Sequence, residues 1–134
     1  MADKLSVYPA LRFKDAKAAI TMMREAFGFT EVAVHEDGSG GVAHAELAYG
    51  NGMVMLGTAR EEGAFGRAAK NLGPVSLYVV VDDPDTHHDR AVAYGLEIVM
   101  PLTDTDYGSR DYIARDAEGN LWCFGTYAPE PPAS

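Results

Sequence analysis

The chain says nearly the same thing twice, and that near-repetition limits the available folds more than any other feature of it. Residues 7–13 read as a strand. Asp15 stands where a helix N-cap belongs, and Ala16, Ala19, Ile20, Met23 and Phe27 then recur at helical spacing, so a helix is expected over 16–27. Gly28 suits the left-handed residue that ends a helix. Further along, the β-branched and aromatic run 75–81 is again a strand. Asp83 caps, Pro84 fits the first helical position, Ala91, Val92 and Tyr94 continue the helix, and Gly95 closes it. The two cap aspartates are 68 residues apart and the two terminal glycines 67, in a chain of 134.

Each half continues with strands. In the first, Thr30 to Glu36 is followed by a turn at Asp37 to Gly41, then by Val42 to Tyr49. The hairpin signal Gly50-Asn51-Gly52 leads into Met53 to Gly57. In the second, Glu97 to Met100 precedes a loop at 101–108, a strand at 110–115, a turn at 116–120 and a last strand at 121–125. Both halves therefore read βαβββ, an α+β class chain. It is taken as one domain over 1–134, with module 1 at about 6–57, a linker at 58–74, module 2 at about 75–127 and a tail at 128–134.

Twenty Asp and Glu against eleven Lys and Arg give a net charge of −9, which argues against a nucleic-acid surface; a cationic small molecule suits this balance, and so does plain solubility. No apolar run reaches the ~18–20 residues of a membrane span, and the first residues lack the apolar stretch of a signal peptide. One cysteine, Cys123, excludes an intrachain disulfide and a paired-cysteine metal knuckle and suits the cytoplasm. Nucleotide-loop and nucleophile-elbow motifs are missing.

Two tandem βαβββ units, ending in Arg115-Asp116-Ala117-Glu118-Gly119-Asn120-Leu121-Trp122, resemble the glyoxalase / bleomycin-resistance / extradiol-dioxygenase (vicinal oxygen chelate) superfamily over about residues 6–127. The ending is similar to that family's D-P-x-G-N turn, with Ala117 in place of the proline. The resemblance implies two curved sheets around a cup, with helices on the convex backs. It also implies paired chains and, in metal-dependent members, a divalent ion held by His in each unit's first strand and Glu in each last strand. Those positions fall here on Tyr8, Ser76, Met55 and Cys123, which are not a first shell for Mg, Mn, Fe or Ni. Neither a metal nor another cofactor is expected.

Other side chains are then expected to line the cup. His44 and Glu46 share one strand face while Ala45 and Leu47 take the helix side; the pair suits a base and its orienter, a ligand contact, or a solvated face. With Ile113 taken as the helix-side anchor, Arg110 and Tyr112 join the cup face, Arg110 as an anion clamp or an ion-pair partner. Tyr8, Arg12, Tyr78 and Cys123 share the cup-facing parity. Leu11, Phe13, Leu77, Val79, Val81, Trp122 and Phe124 take the opposite, helix-facing parity. His87 and His88, adjacent on a helix, are read as surface. The resulting expectation is a metal-independent, homodimeric, cytoplasmic binding protein of the bleomycin-resistance kind, sequestering an antibiotic-like or cationic ligand. Two alternatives stay open: a lyase or isomerase using His44, Glu46 or Arg110, and a dimeric interaction module with a filled cup.

Overall fold

A computed structural model describes residues 5–132. The elements run β1 (Ala10–Phe13), α1 (Ala16–Glu25), β2 (Thr30–Glu36), β3 (Val42–Tyr49), β4 (Gly52–Thr58), α2 (Gly63–Ala69), β5 (Ser76–Val80), α3 (Pro84–Tyr94), β6 (Glu97–Asp104), β7 (Arg110–Arg115) and β8 (Leu121–Gly125). They form two compact units that divide between Leu72 and Gly73, inside the expected linker. Each unit holds one four-stranded mixed sheet, ordered β1-β4-β3-β2 in the first and β5-β8-β7-β6 in the second. The first and last strands of each unit pair in parallel, and the other pairs are antiparallel.

In the first unit the Asp15 carboxylate accepts from the Ala18 N–H at 3.1 Å and starts α1. Gly28, at φ 82°, reverses the chain, and Phe29 donates to the Met23 carbonyl. The buried stripe Ala16, Ala19, Ile20 and Met23 lies across all four strands, whose own buried side chains include Leu11, Phe13, Ala45, Leu47, Val54 and Leu56. Fully burying a Val, Leu, Ile, Phe or Met side chain stabilises the fold by about 1.5–3 kcal/mol.

The second unit repeats the plan. Asp83 caps α3 through the Thr86 N–H at 3.2 Å, and Gly95, at φ 106°, ends it. Here α3 packs on β6 and β7. The Asp116–Asn120 turn is a hydrogen-bonded clamp. Asp116 Oδ1 accepts from the backbone N–H groups of Glu118 and Asn120, at 2.9 and 3.0 Å. Oδ2 accepts from Asn120 Nδ2 and from Trp122 Nε1, both at 3.0 Å. Asn120 Oδ1 in turn holds the Val75 N–H at 3.0 Å. Residue 117 contributes no side-chain bond and is exposed, which is why alanine serves where the family turn carries proline.

Several boundaries differ from those expected, by one or two residues at the ends of α1, β4 and β5 and by more at three places. β1 begins at Ala10, leaving residues 7–9 outside the strand. The linker contains the short helix α2. The expected loop at 101–108 is strand up to Asp104: Pro101 fits because β6 is a sheet edge and its pairing with β7 is irregular between Met100 and Thr103. The tail from 128 carries no helix or strand as far as 132, and residues 133–134 lie outside the described residues.

Candidate functional site

Each sheet has a core face and an open face, and register decides which side chains share them. In the first unit, Ala45 pairs with Leu56 and Leu47 with Val54, all buried under α1. The intervening His44 and Glu46 therefore project from the open face. His44 Nε2 and Glu46 Oε2 are 3.0 Å apart and half-exposed. The His35 ring lies parallel to His44 at 6.3 Å, across the β2–β3 register. Glu46 is flanked by Met55 and Ala33, and Met55 by Ala10.

Arg12 alternates with core-facing Leu11 and Phe13 and so shares the open face. Its guanidinium lies over Phe65 at 5.0 Å and donates to the Arg60 carbonyl. Arg60 pairs with Asp37 at the mouth of a shallow cleft of about 380 Å³, lined also by Ser39, Gly41, Thr58 and Glu61. Hydrogen bonds from Ser39 and Gly41, together with the Arg60 charge, hold the Asp37 carboxyl down at about 2. Tyr8 is half-buried, in the segment before β1.

In the second unit, Tyr78 pairs with Cys123 and Ile113 with Cys123 on the open face. Burial pushes the Cys123 thiol up, so it is a poor thiolate. Tyr78 is 40% exposed and donates from its hydroxyl to the Tyr127 carbonyl at 2.7 Å.

Arg110 and Tyr112 are not where the parity argument put them. Tyr112 pairs with Phe124, is fully buried, and meets His87 Nδ1 of α3 at 2.5 Å through its hydroxyl. Arg110, on the same parity, bonds Asp85 of α3 at 2.7 Å and Asp104 at 3.0 Å; those two carboxylates hold it more firmly protonated. Ile113 is the open-face residue of β7. Its apolar character suggested the core, but the core volume beneath α3 is already filled by Tyr112, Trp122 and Phe124. His87 is likewise corrected from surface to core. It is 8% exposed with its ring 4.3 Å from Phe124, while His88 packs edge-on against Tyr112 at 5.2 Å.

The same correction brings forward two residues that the sequence reading missed, Ser109 and Asp111. Asp111 is buried on the open face, opposite Gly125, and accepts from Ser109 Oγ at 2.5 Å. A signal for it was present: the 67-residue offset between the terminal glycines carries His44 onto Asp111 and Ala45 onto Tyr112.

The positions at which the resemblance implies metal ligands hold donors of the wrong kind. Met55 lies between Ala10 and Glu46, Cys123 between Tyr78 and Ile113, and Ser76 beside Leu121. Among the described residues no group of three or more His, Cys, Asp or Glu gathers to hold an ion. A thioether, a high-pKa thiol and two hydroxyls do not fit a hard or borderline divalent metal. No helix among the described residues is long and apolar enough to cross a membrane.

The chain matches the family model of the Glyoxalase/Bleomycin resistance protein/Dioxygenase superfamily over residues 6–124. An uncharacterized protein of Mycobacterium bovis is 30% identical over 121 residues, covering 87% of this chain and 80% of the relative. Among solved structures, TioX from Micromonospora sp. ML1 superposes with a TM-score of 0.74 at 31% identity, covering 90% of this chain and 98% of that one. A lactoylglutathione lyase from Agrobacterium tumefaciens shares the fold at TM-score 0.68 and 19% identity, covering 93% of this chain and 95% of the lyase.

Proposed function

The chain belongs to the glyoxalase/bleomycin resistance protein/dioxygenase superfamily, and from that premise we propose that it is a metal-independent small-molecule-binding protein, homodimeric and cytoplasmic, that sequesters an antibiotic-like or cationic ligand. The observation that carries this reading is the replacement of the implied metal donors by Tyr8, Met55, Ser76 and Cys123, on sheets whose open faces still present polar and aromatic groups. Arg12, His44 and Glu46 on the first sheet and Tyr78 and Cys123 on the second are the proposed contacts, with Tyr8 beside the first. Arg110 and Tyr112 leave that set, because they are engaged with α3. A hydrophobic wall with few polar groups is the ordinary composition of a small-molecule site, and a charge of −9 favours a positively charged guest. The test is an NMR fragment screen of the labelled full chain in EDTA. Binders whose shifts gather on the open faces support the reading. A screen without binders, or binders only in the presence of added metal, overturns it.

The 3.0 Å contact between His44 and Glu46 favours a second reading, a lyase or isomerase in which Glu46 orients His44 as the base. Turnover of any screened binder that is lost in His44→Ala would establish it.

A further inference from the structure

On the open face of the second sheet, the room left by Gly125 is occupied by a carboxylate that has no counter-ion among the described residues. A Cβ at Gly125 would lie 2.0 Å from Asp111 Oδ1 and 2.8 Å from the Tyr78 hydroxyl, so glycine is what lets these two groups meet there. Asp111 is 6% exposed. Its Oδ1 accepts from Ser109 Oγ at 2.5 Å, and that oxygen itself accepts from the Tyr127 N–H at 3.0 Å. The Tyr78 proton is committed to the Tyr127 carbonyl. Among the described residues no hydrogen bond reaches Asp111 Oδ2. Among the described residues no fully buried side-chain polar atom lacks a partner, so this oxygen is not sealed from solvent.

Among the described residues no cation pairs with it. Arg110 is turned to α3, and Arg115, on the same parity as Asp111, pairs with Glu97 at 3.3 Å. A carboxylate this buried is costly unless a positive group meets it. Its field reaches its neighbours: burial pushes the Tyr78 phenol up and the Asp111 charge adds to that, as both do for the Cys123 thiol. Tyr107 and Tyr127, edge to face at 5.8 Å, put two further aromatic rings at this end of the sheet.

We propose that Asp111 anchors the ammonium or amidinium group of an organic cation whose apolar body rests against Tyr78 and its neighbouring tyrosines. This rests on the small-molecule-binding reading above and adds to it the carboxylate that receives the ligand's charge and the aromatic surface that holds its body. An organic ammonium supplies the N–H donor that Oδ2 lacks, and aromatic faces favour the same charge.

The experiment is a ¹H–¹⁵N titration of the full chain with benzylammonium, and with benzyl alcohol as the neutral control, at matched ionic strength. Saturable shifts at Tyr78, Ser109, Cys123 and Gly125 are expected with benzylammonium. Binding of the alcohol, and binding of benzylammonium to Asp111→Asn, should be at least tenfold weaker. Asn keeps the acceptor for Ser109, so that variant retains its fold; Asp111→Glu keeps the charge and should lose less affinity than Asp111→Asn. Equal affinity of Asp111→Asn, equal affinity of the alcohol, shifts confined to His44 and Glu46, or no shift at all would each overturn the assignment. The fragment screen stands apart from this outcome, since a neutral binder found there upholds small-molecule binding while Asp111 fails as a cation anchor.

Discussion

Replacing Asp116 by Asn changes one atom and should cost a large part of the stability of the second unit. The carboxylate accepts at both oxygens, from two backbone N–H groups through Oδ1 and from the Asn120 amide and the Trp122 indole through Oδ2. An amide offers one oxygen. Whichever way it turns, an NH₂ group faces two donors that were previously bound, and Trp122 is fully buried. Each buried donor deprived of its acceptor costs about 1–3 kcal/mol. Rotation of Asn120 relieves part of this, so about 2–4 kcal/mol is expected, a sizeable share of an ordinary domain's ~5–15 kcal/mol. Urea denaturation followed by far-UV circular dichroism at fixed protein concentration measures it. Trp122→Phe removes the indole N–H, so the double variant with Asp116→Asn should show a coupling of about 1 kcal/mol. An Asp116→Asn variant within ~0.5 kcal/mol of the parent, or strictly additive single variants, would refute the clamp as a source of stability.

Further outcomes follow from other contacts. The Asp37 carboxyl is held at about 2 in the fold, below its ordinary 3.8. Its stabilising share is thus present above about pH 4 and is lost as pH falls towards 2; the urea midpoint of the parent should drop more steeply across that interval than that of Asp37→Asn, and parallel profiles would contradict it. Glu46→Ala should change stability by about 1 kcal/mol or less, whereas Trp122→Ala should cost about 3–5 kcal/mol; the same urea assay ranks them, and the reverse order would mean the two faces are exchanged. Light scattering at micromolar protein should give a mass of about 29 kDa, twice the 14.4 kDa chain; a monomer would refute the proposed pairing.

Much of this architecture was readable because it is written twice. The caps at Asp15 and Asp83, the glycines at 28 and 95 and the strand alternation around Ala45 and Leu47 each state a local preference that packing then satisfies. The helix-facing parity of Trp122 and Phe124 follows the same logic, and both are fully buried. Reading β7 by hydrophobicity alone failed because Tyr112 carries its polar atom to His87 inside the core, while Ile113 lies on the open face. Aromatic size, not polarity, decided that strand, and a one-residue error in a strand exchanges both faces at once. Asp111 was hidden for a related reason. A buried carboxylate next to a core tyrosine violates alternation, and only Gly125, paired with it across 14 residues of chain, makes the space. Strand extension through Pro101 was also beyond local propensity, since only the edge position of β6 permits it.

Native mass spectrometry of the purified full chain, recorded before and after exposure to Mn²⁺, Ni²⁺ and Zn²⁺, addresses metal-independent binding most directly. A species at the bare polypeptide mass or carrying an organic adduct is expected, with no stoichiometric ion in either sample. One divalent ion per chain that survives buffer exchange and is lost on replacing Met55 or Cys123 would contradict it.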